Sequence, residues 1–496
     1  MATLCHTGKI FPIGESAFLA YNFLMKALLA GLIFVSSTFV LYAAKTTATA
    51  PNAPAPEFTV HEWGTFTTVS GSDGVLLPGL ERDEEQLPSF VSGHKGLQAF
   101  GNRQDASDPN AFFMVADPET LRVAGKGMFR PVEQVTVKME TPVIYVYSDT
   151  TEVFPLQINV GFKQGLISQY FPGANLDSTP PMSYEPIADS PPDSRLYRIK
   201  PIDFSTPQNA MARWFLNVNP KSDIDDFKIV KVGETATWIR PRVREANVLS
   251  LMNGTQAEGF VFYRGLGHFD LPLKTTMQGD TLQLESERDL AYALVYQSDG
   301  YRAKVLWDGS LNAGKTKTVS CVPGGWENWR GEKWLGGDMQ VDLLTRMQKA
   351  LVAEGLSRDE ASAMLRTWWD SYFCHAGLRV FWMVPREMTD EILPMTLSQK
   401  PKALERVLVG RAEVLTPAFE SSMLATVQQA DNPLQSDRYY AAYRARATAM
   451  KPDITLPADP YNKRFELKRM VRAPKKPAAE ARNEVPADLK TASAPR

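Results

Sequence analysis

His61 and Glu62 stand side by side in TVHEWGTFTTV, and His268 and Asp270 stand two apart in FYRGLGHFDLPL. Imidazoles and carboxylates are ligands of zinc-like ions, and a metal-bound water held by such a set performs hydrolysis. The HExxH zinc helix does not fit, because position 65 is threonine. The β-branched and aromatic neighbours instead predict a strand, in which successive side chains point to opposite faces. His268 and Asp270, read as strand residues, share a face. His61, His268 and Asp270, with Glu62 or His375 nearby, therefore form a candidate metal-dependent hydrolase site. The alternative is two histidines bonded to backbone, one in a strand and one in a turn.

Three further groups could carry chemistry. Trp326, Trp329 and Trp334 alternate with Glu327, Arg330 and Glu332 in a Gly-rich connection. Such aromatic faces with charged rims suit a sugar ring or peptide, or else pin an irregular loop to the body. Arg240, Arg242 and Arg244 alternate, and on a strand they would form one face able to clamp a carboxylate or phosphate. Cys321 and Cys374 could pair in an oxidising compartment or stay as thiols, and Cys374 also neighbours His375. No GxSxG elbow and no CxxC spacing occurs, which excludes Cys-built metal clusters, and no motif names a cofactor.

The elements that must position these residues read as α+β. Strand signals run through 58–69, 132–147, 153–162, 195–200, 227–240, 258–264, 281–285, 290–297 and 302–308, an antiparallel β-sandwich pattern. After Cys321 the pattern becomes helical. Leu343, Leu344, Met347 and Leu351 fall on one face, Gly355 caps, and Ser357 with Glu360 forms a capping box for a second helix through Phe373. Leu365, Trp368, Trp369 and Phe373 belong to its packing face. Strands at 378–384 and 406–414 and a helix over 417–447, broken near Pro433, complete a smaller mixed region. The expected division is a β-rich domain at 58–323, a hairpin and mixed region at 324–450, and a tail at 451–496.

The chain has 496 residues and a net charge of −2, unevenly spread. Residues 1–50 sum to +2, 51–462 to −10 and 463–496 to +6. An acidic body is not the footprint of a nucleic-acid binder. Ala27 to Ala44 is an uncharged apolar run between Lys26 and Lys45, intermediate between a signal-peptide core and a spanning helix. It predicts export, with translation starting at Met25 and with the segment either cleaved or kept as an inner-membrane anchor. Residues 51–57 form a linker, and the basic tail can meet anionic lipid or wall polymer.

The segments VHEWGTFTTVSGSDG, METPVIYVYS, FYRGLGHFDLPL, GLRVFWMVPREMTD and LVGRAEVLTP resemble blocks of a family of uncharacterised exported bacterial proteins with an HEWGTF motif. The resemblance spans roughly residues 60–420 and implies an exported, periplasmic or secreted, envelope-associated protein. It brings no activity and no catalytic residue. The expected function is thus binding or assembly in the cell envelope, with an envelope polymer or protein as partner. Metal-dependent hydrolysis and carbohydrate binding by the tryptophan loop are the alternatives.

Overall fold

The computed structural model describes residues 56–82, 87, 88, 90–93, 132–177, 184–186, 197–199, 201–227, 237–323, 329 and 333–457. The apolar segment Ala27–Ala44, Trp326 and the basic tail beyond 457 lie outside them, and no described helix is long and apolar enough to cross a membrane.

The body from Glu57 onward is α+β and forms one unit, without the expected break at 323/324. Its frame is a nine-stranded sheet. The centre is the strand Thr59–Ser70, whose apolar and β-branched sequence suits burial on both faces. It pairs antiparallel with Val137–Tyr147 and parallel with Ala403–Val414. Beyond these lie Val261–Gly267 on one side and Gly377–Met383 on the other, both antiparallel. Each of the five segments quoted above overlaps one of these five adjacent strands. Residues from both sides of the predicted division are therefore hydrogen-bonded neighbours.

One face of the large sheet packs on a six-stranded sheet centred on Phe154–Lys163 and Asn209–Asn219, giving a β-sandwich core. Val60, Phe66, Leu408 and Trp382 from the first sheet meet Leu156, Ile158, Trp214 and Leu216 from the second. Burial of this apolar surface is the main favourable term in the fold. The opposite face carries helices. Helix α1 (Asp338–Ala353) and helix α2 (Arg358–Trp368, continued by a π-helical turn at Trp369–Phe373) form the predicted hairpin. Leu343, Met347, Leu351, Leu365 and Trp368 bury against Trp63, Tyr145, Val407 and Val409. A short helix α3 (Arg386–Ile392) follows. Helices α4 (Pro417–Thr426) and α5 (Tyr440–Met450) cover the other half of that face, around Val69, Leu266 and Tyr440.

Local chemistry fixes the close approaches. Gly64 sits at a bulge, where a Cβ would come within 2.9 Å of the Pro142 backbone. Thr141, beside it, takes φ +50°, a conformation that costs a β-branched residue energy and re-aims Glu140 toward the helical face. Gly410 lies against Trp382, whose ring atoms would stand 2.0 Å from an added Cβ. The HEWGTF and VGRAEV glycines are thus required by packing against neighbouring strands.

Candidate functional site

Alternation along the central strand separates the HE pair. Glu62 faces the sandwich core, fully buried, where it accepts hydrogen bonds from Tyr263 Oη at 2.5 Å and Arg406 Nε at 2.6 Å. Arg406 in turn donates to Asp390 at 2.7 Å. His61 faces the helices, where its Nδ1 lies 3.0 Å from Glu360 Oε2 in the capping box of α2. Tyr147 Oη donates to the same carboxylate at 2.7 Å. Burial by itself would raise the Glu360 carboxyl, but the hydrogen bonds from His61 and Tyr147 outweigh it and hold the group below the ordinary glutamate range.

The candidate metal set does not assemble. His61 is opposite Tyr145 and Gly267 is opposite Val137 on the same strand, so His61 and His268 lie roughly 25 Å apart at about 3.3 Å per residue. His268 follows its strand rather than belonging to it, with Nδ1 2.8 Å from Gln134 O, and Asp270 is exposed. Among the described residues no three His, Cys, Asp or Glu side chains are grouped to hold a metal.

The other expected clusters also come apart. Residues 237–246 form turns rather than a strand, so Arg240, Arg242 and Arg244 share no face. Arg240 pairs with Asp370 at 2.9 Å, Arg242 locks bidentately onto buried Glu258, and Arg244 is exposed. Trp329 is buried while Trp334 is 70 % exposed, so the described tryptophans of the loop make no common platform. Cys321 and Cys374 are free thiols. Burial pushes Cys321 up to about 11. Burial and Asp370 also raise Cys374 against the pull of Arg379, the opposite of an activated thiolate.

What the helical face does assemble is a line of buried charge running across four adjacent strands. Lys138 and Glu140 lie on one strand, Thr65 and Thr67 on the next, Arg411 and Glu413 on the third, and Arg379 on the fourth. Lys138 Nζ is 2.9 Å from Glu140 Oε1, and Tyr372 Oη donates to Glu140 Oε2 at 2.6 Å. The guanidinium of Arg411 stacks 3.9 Å from the centre of the Tyr372 ring and bonds the Tyr439 hydroxyl. Burial opposes ionisation of Glu140, yet Lys138 and Arg411 hold it far below the usual range. The line falls between the apolar cluster under the hairpin and the one under α4 and α5.

At its Arg379 end the line opens into a cleft of about 790 Å³, bounded by the 297–299, 321–323 and 375–379 segments and the approach to α5. Glu413 forms its floor. Its Oε1 accepts from Arg379 Nε at 2.6 Å, Arg411 Nε at 3.1 Å and Arg438 Nη2 at 3.4 Å. Against burial, these three guanidinium groups keep Glu413 ionised below the ordinary range. Asp437 lines the same cleft, and burial raises it in spite of neighbouring Arg438. One carboxyl is held as the anion and its neighbour is pushed toward the acid, a division typical of functional sites. A second cavity of about 830 Å³, at the edge of the sandwich beside Asp270, has no comparable buried ionic floor.

Arg379, Arg411 and Glu413 fall within two of the segments quoted above, GLRVFWMVPREMTD and LVGRAEVLTP, but no chemical pattern in those segments marks them. The available signal was charge embedded in apolar strands, as in VLVGRAEV and GLRVFWMV, since a buried charge is the informative exception.

No protein-family model and no curated protein matches the chain. Among solved structures, it is similar to the Fcho1 mu homology domain of Danio rerio with bound Eps15 peptide, at 8% identity and TM-score 0.25, over 74% of this chain and 100% of that one. The yeast delta-COP-I mu-homology domain gives 8% identity and TM-score 0.22, over 73% of this chain and 100% of that one. Likeness at this level carries no functional argument.

Proposed function

We propose that this is an exported, envelope-associated binding protein that takes its ligand in the cleft between Arg379, Glu413, Arg438 and the start of α5. The cleft is the observation that carries the reading. It joins a volume suited to a small ligand with apolar walls and a few converging polar groups, the usual anatomy of a binding site. Export is supported by the apolar, uncharged run Ala27–Ala44 with its flanking lysines.

The test uses the full-length chain and an Ala376→Trp variant, which plugs the mouth at an exposed position. Both are incubated with a periplasmic small-molecule extract, gel-filtered and analysed by mass spectrometry. A compound retained by the parent and missing from the variant supports the reading; identical profiles refute it. Export is checked by fusing a reporter enzyme that is active only outside the cytoplasm after residue 457. Reporter activity that disappears when 27–44 is deleted is the expected result.

A second reading, acid–base catalysis in the same cleft, is favoured by the opposed ionisation of Glu413 and Asp437. It requires turnover of a retained compound by the parent and none by Asp437→Asn, with retention unchanged.

A further inference from the structure

Glu413 is more than nine-tenths buried, and its two carboxylate oxygens have unequal surroundings. Oε1 accepts from Arg379, Arg411 and Arg438, all within 3.4 Å. Oε2 accepts from no donor among the described residues. Beside it lies Gly377, where an added Cβ would stand 3.5 Å from Oε2. Gly377 takes φ +138°, which other residues rarely adopt, so this flank of the oxygen stays uncovered. Glu413 and Gly377 both line the cleft. A buried oxygen without a donor costs free energy, and buried polar groups are otherwise paired. The hydrogen that Oε2 lacks must therefore come from what occupies the cleft.

The charges around the cleft narrow the choice of donor. An ammonium at Oε2 would also meet the three guanidinium groups gathered on Oε1, like charge against like. A carboxylate would meet Oε2 itself, and when ionised it has no hydrogen to give. The other acids of the lining do not alter this balance. Asp299 is held by Arg302 at 2.7 Å and Asp370 by Arg240 at 2.9 Å. Asp437 accepts from Tyr439 N at 2.7 Å, and burial pushes its carboxyl toward the uncharged form. Asp280 is exposed at the rim, where water and salt screen it. A neutral donor gains a charge-assisted hydrogen bond at Oε2 without bringing a charge into the cleft. Leu378, Val414 and Phe419 offer an apolar wall to the rest of the molecule.

From this arrangement we infer that the cleft takes an uncharged amphipathic ligand, whose head donates a hydrogen bond to Glu413 Oε2 and whose apolar body lies against Leu378, Val414 and Phe419. The inference rests on the cleft being the binding site and adds the ligand's chemical class.

The experiment is calorimetric titration of the full-length chain with four probes that share one apolar body. They are biphenyl-4-methanol, its methyl ether, biphenyl-4-carboxylate and biphenyl-4-methylammonium. The ether keeps the oxygen but has no hydrogen to donate. Alcohol is expected to bind at least about 10-fold more tightly than ether, the value of one hydrogen bond to a charged group. Both charged probes are expected to bind more weakly than the alcohol. Glu413→Gln keeps a carbonyl oxygen on the guanidinium groups and turns an N–H toward the cleft. The alcohol's advantage should then disappear, with the ether bound at least as well. Ether affinity is the control that this variant is folded, and the parent series decides the matter if it is not. Equal binding of alcohol and ether, a charged probe that outbinds the alcohol, or no binding of any probe overturns the inference. The cleft reading is judged separately with Ala376→Trp. Probes that bind parent and variant alike remove that reading. Probes blocked by the variant but without preference for the alcohol leave the cleft and remove only its ligand class.

Discussion

Glu62 and Arg406 are both without solvent contact in the sandwich core, so each is tolerable only with the other present. Replacing Glu62 with Gln leaves a buried guanidinium with half its support, and should cost about 3–5 kcal/mol in urea denaturation. Tyr263→Phe removes one hydrogen bond to that buried carboxylate and should cost about 2 kcal/mol. Sequence alone made the divergence of His61 and Glu62 legible, because strand alternation is purely local. It could not supply their partners. Glu360 lies 299 positions from His61, and Arg406 lies 344 from Glu62. The same distance in sequence hid the cleft, whose ionic residues come from separate strands and a helix approach. His61, His268 and Asp270 gave a plausible metal set only because spacing carries no information on register between strands.

Elements were more readable than sites. Helix α2 begins at Ser357, whose Oγ accepts from the Glu360 amide at 3.1 Å while Glu360 Oε2 accepts from the Ser357 amide at 2.7 Å. A Ser357→Ala change should cost about 1 kcal/mol, measured by thermal or chemical unfolding. It should also loosen Glu360, and with it the link from His61 to the hairpin. Gly410→Ala tests the strand packing. Its methyl would collide with the Trp382 ring, and a loss of about 3 kcal/mol is expected. Capping box, hairpin and central strands follow from short-range patterns and are present as read. The 237–240 segment was misread because its Trp238 and Ile239 resemble a strand, whereas Trp238 instead bonds Glu258 and packs on Phe262 from a turn. Strand Asn209–Asn219 went unread although Ala212, Trp214, Leu216 and Val218 alternate inward.

For the molecule as a whole, its buried carboxylates predict its acid response. Glu140, Glu360 and Glu413 each have a carboxyl held below its ordinary value in the folded chain. Folding therefore binds fewer protons than the unfolded chain does, and stability is full above about pH 4.5 and falls as pH drops toward the depressed values. Urea midpoints measured from pH 7 to pH 3 should decline below that point. Asp437 has the opposite sign. Its raised carboxyl disfavours the folded state once ionised, so Asp437→Asn should stabilise the chain at pH 7 and have little effect at pH 3.

The strand at the sheet's centre enters near the start of the body, and its parallel neighbour arrives only at Ala403–Val414. During vectorial synthesis, Thr59–Ser70 can recruit Val137–Tyr147 early, but its other edge stays unpaired until almost the whole body has emerged. The last-arriving strand also brings Arg406 to Glu62 and Arg411 and Glu413 to the ion line. Completion of the fold is thereby tied to completion of the chain, a high-contact-order arrangement that delays the final closure.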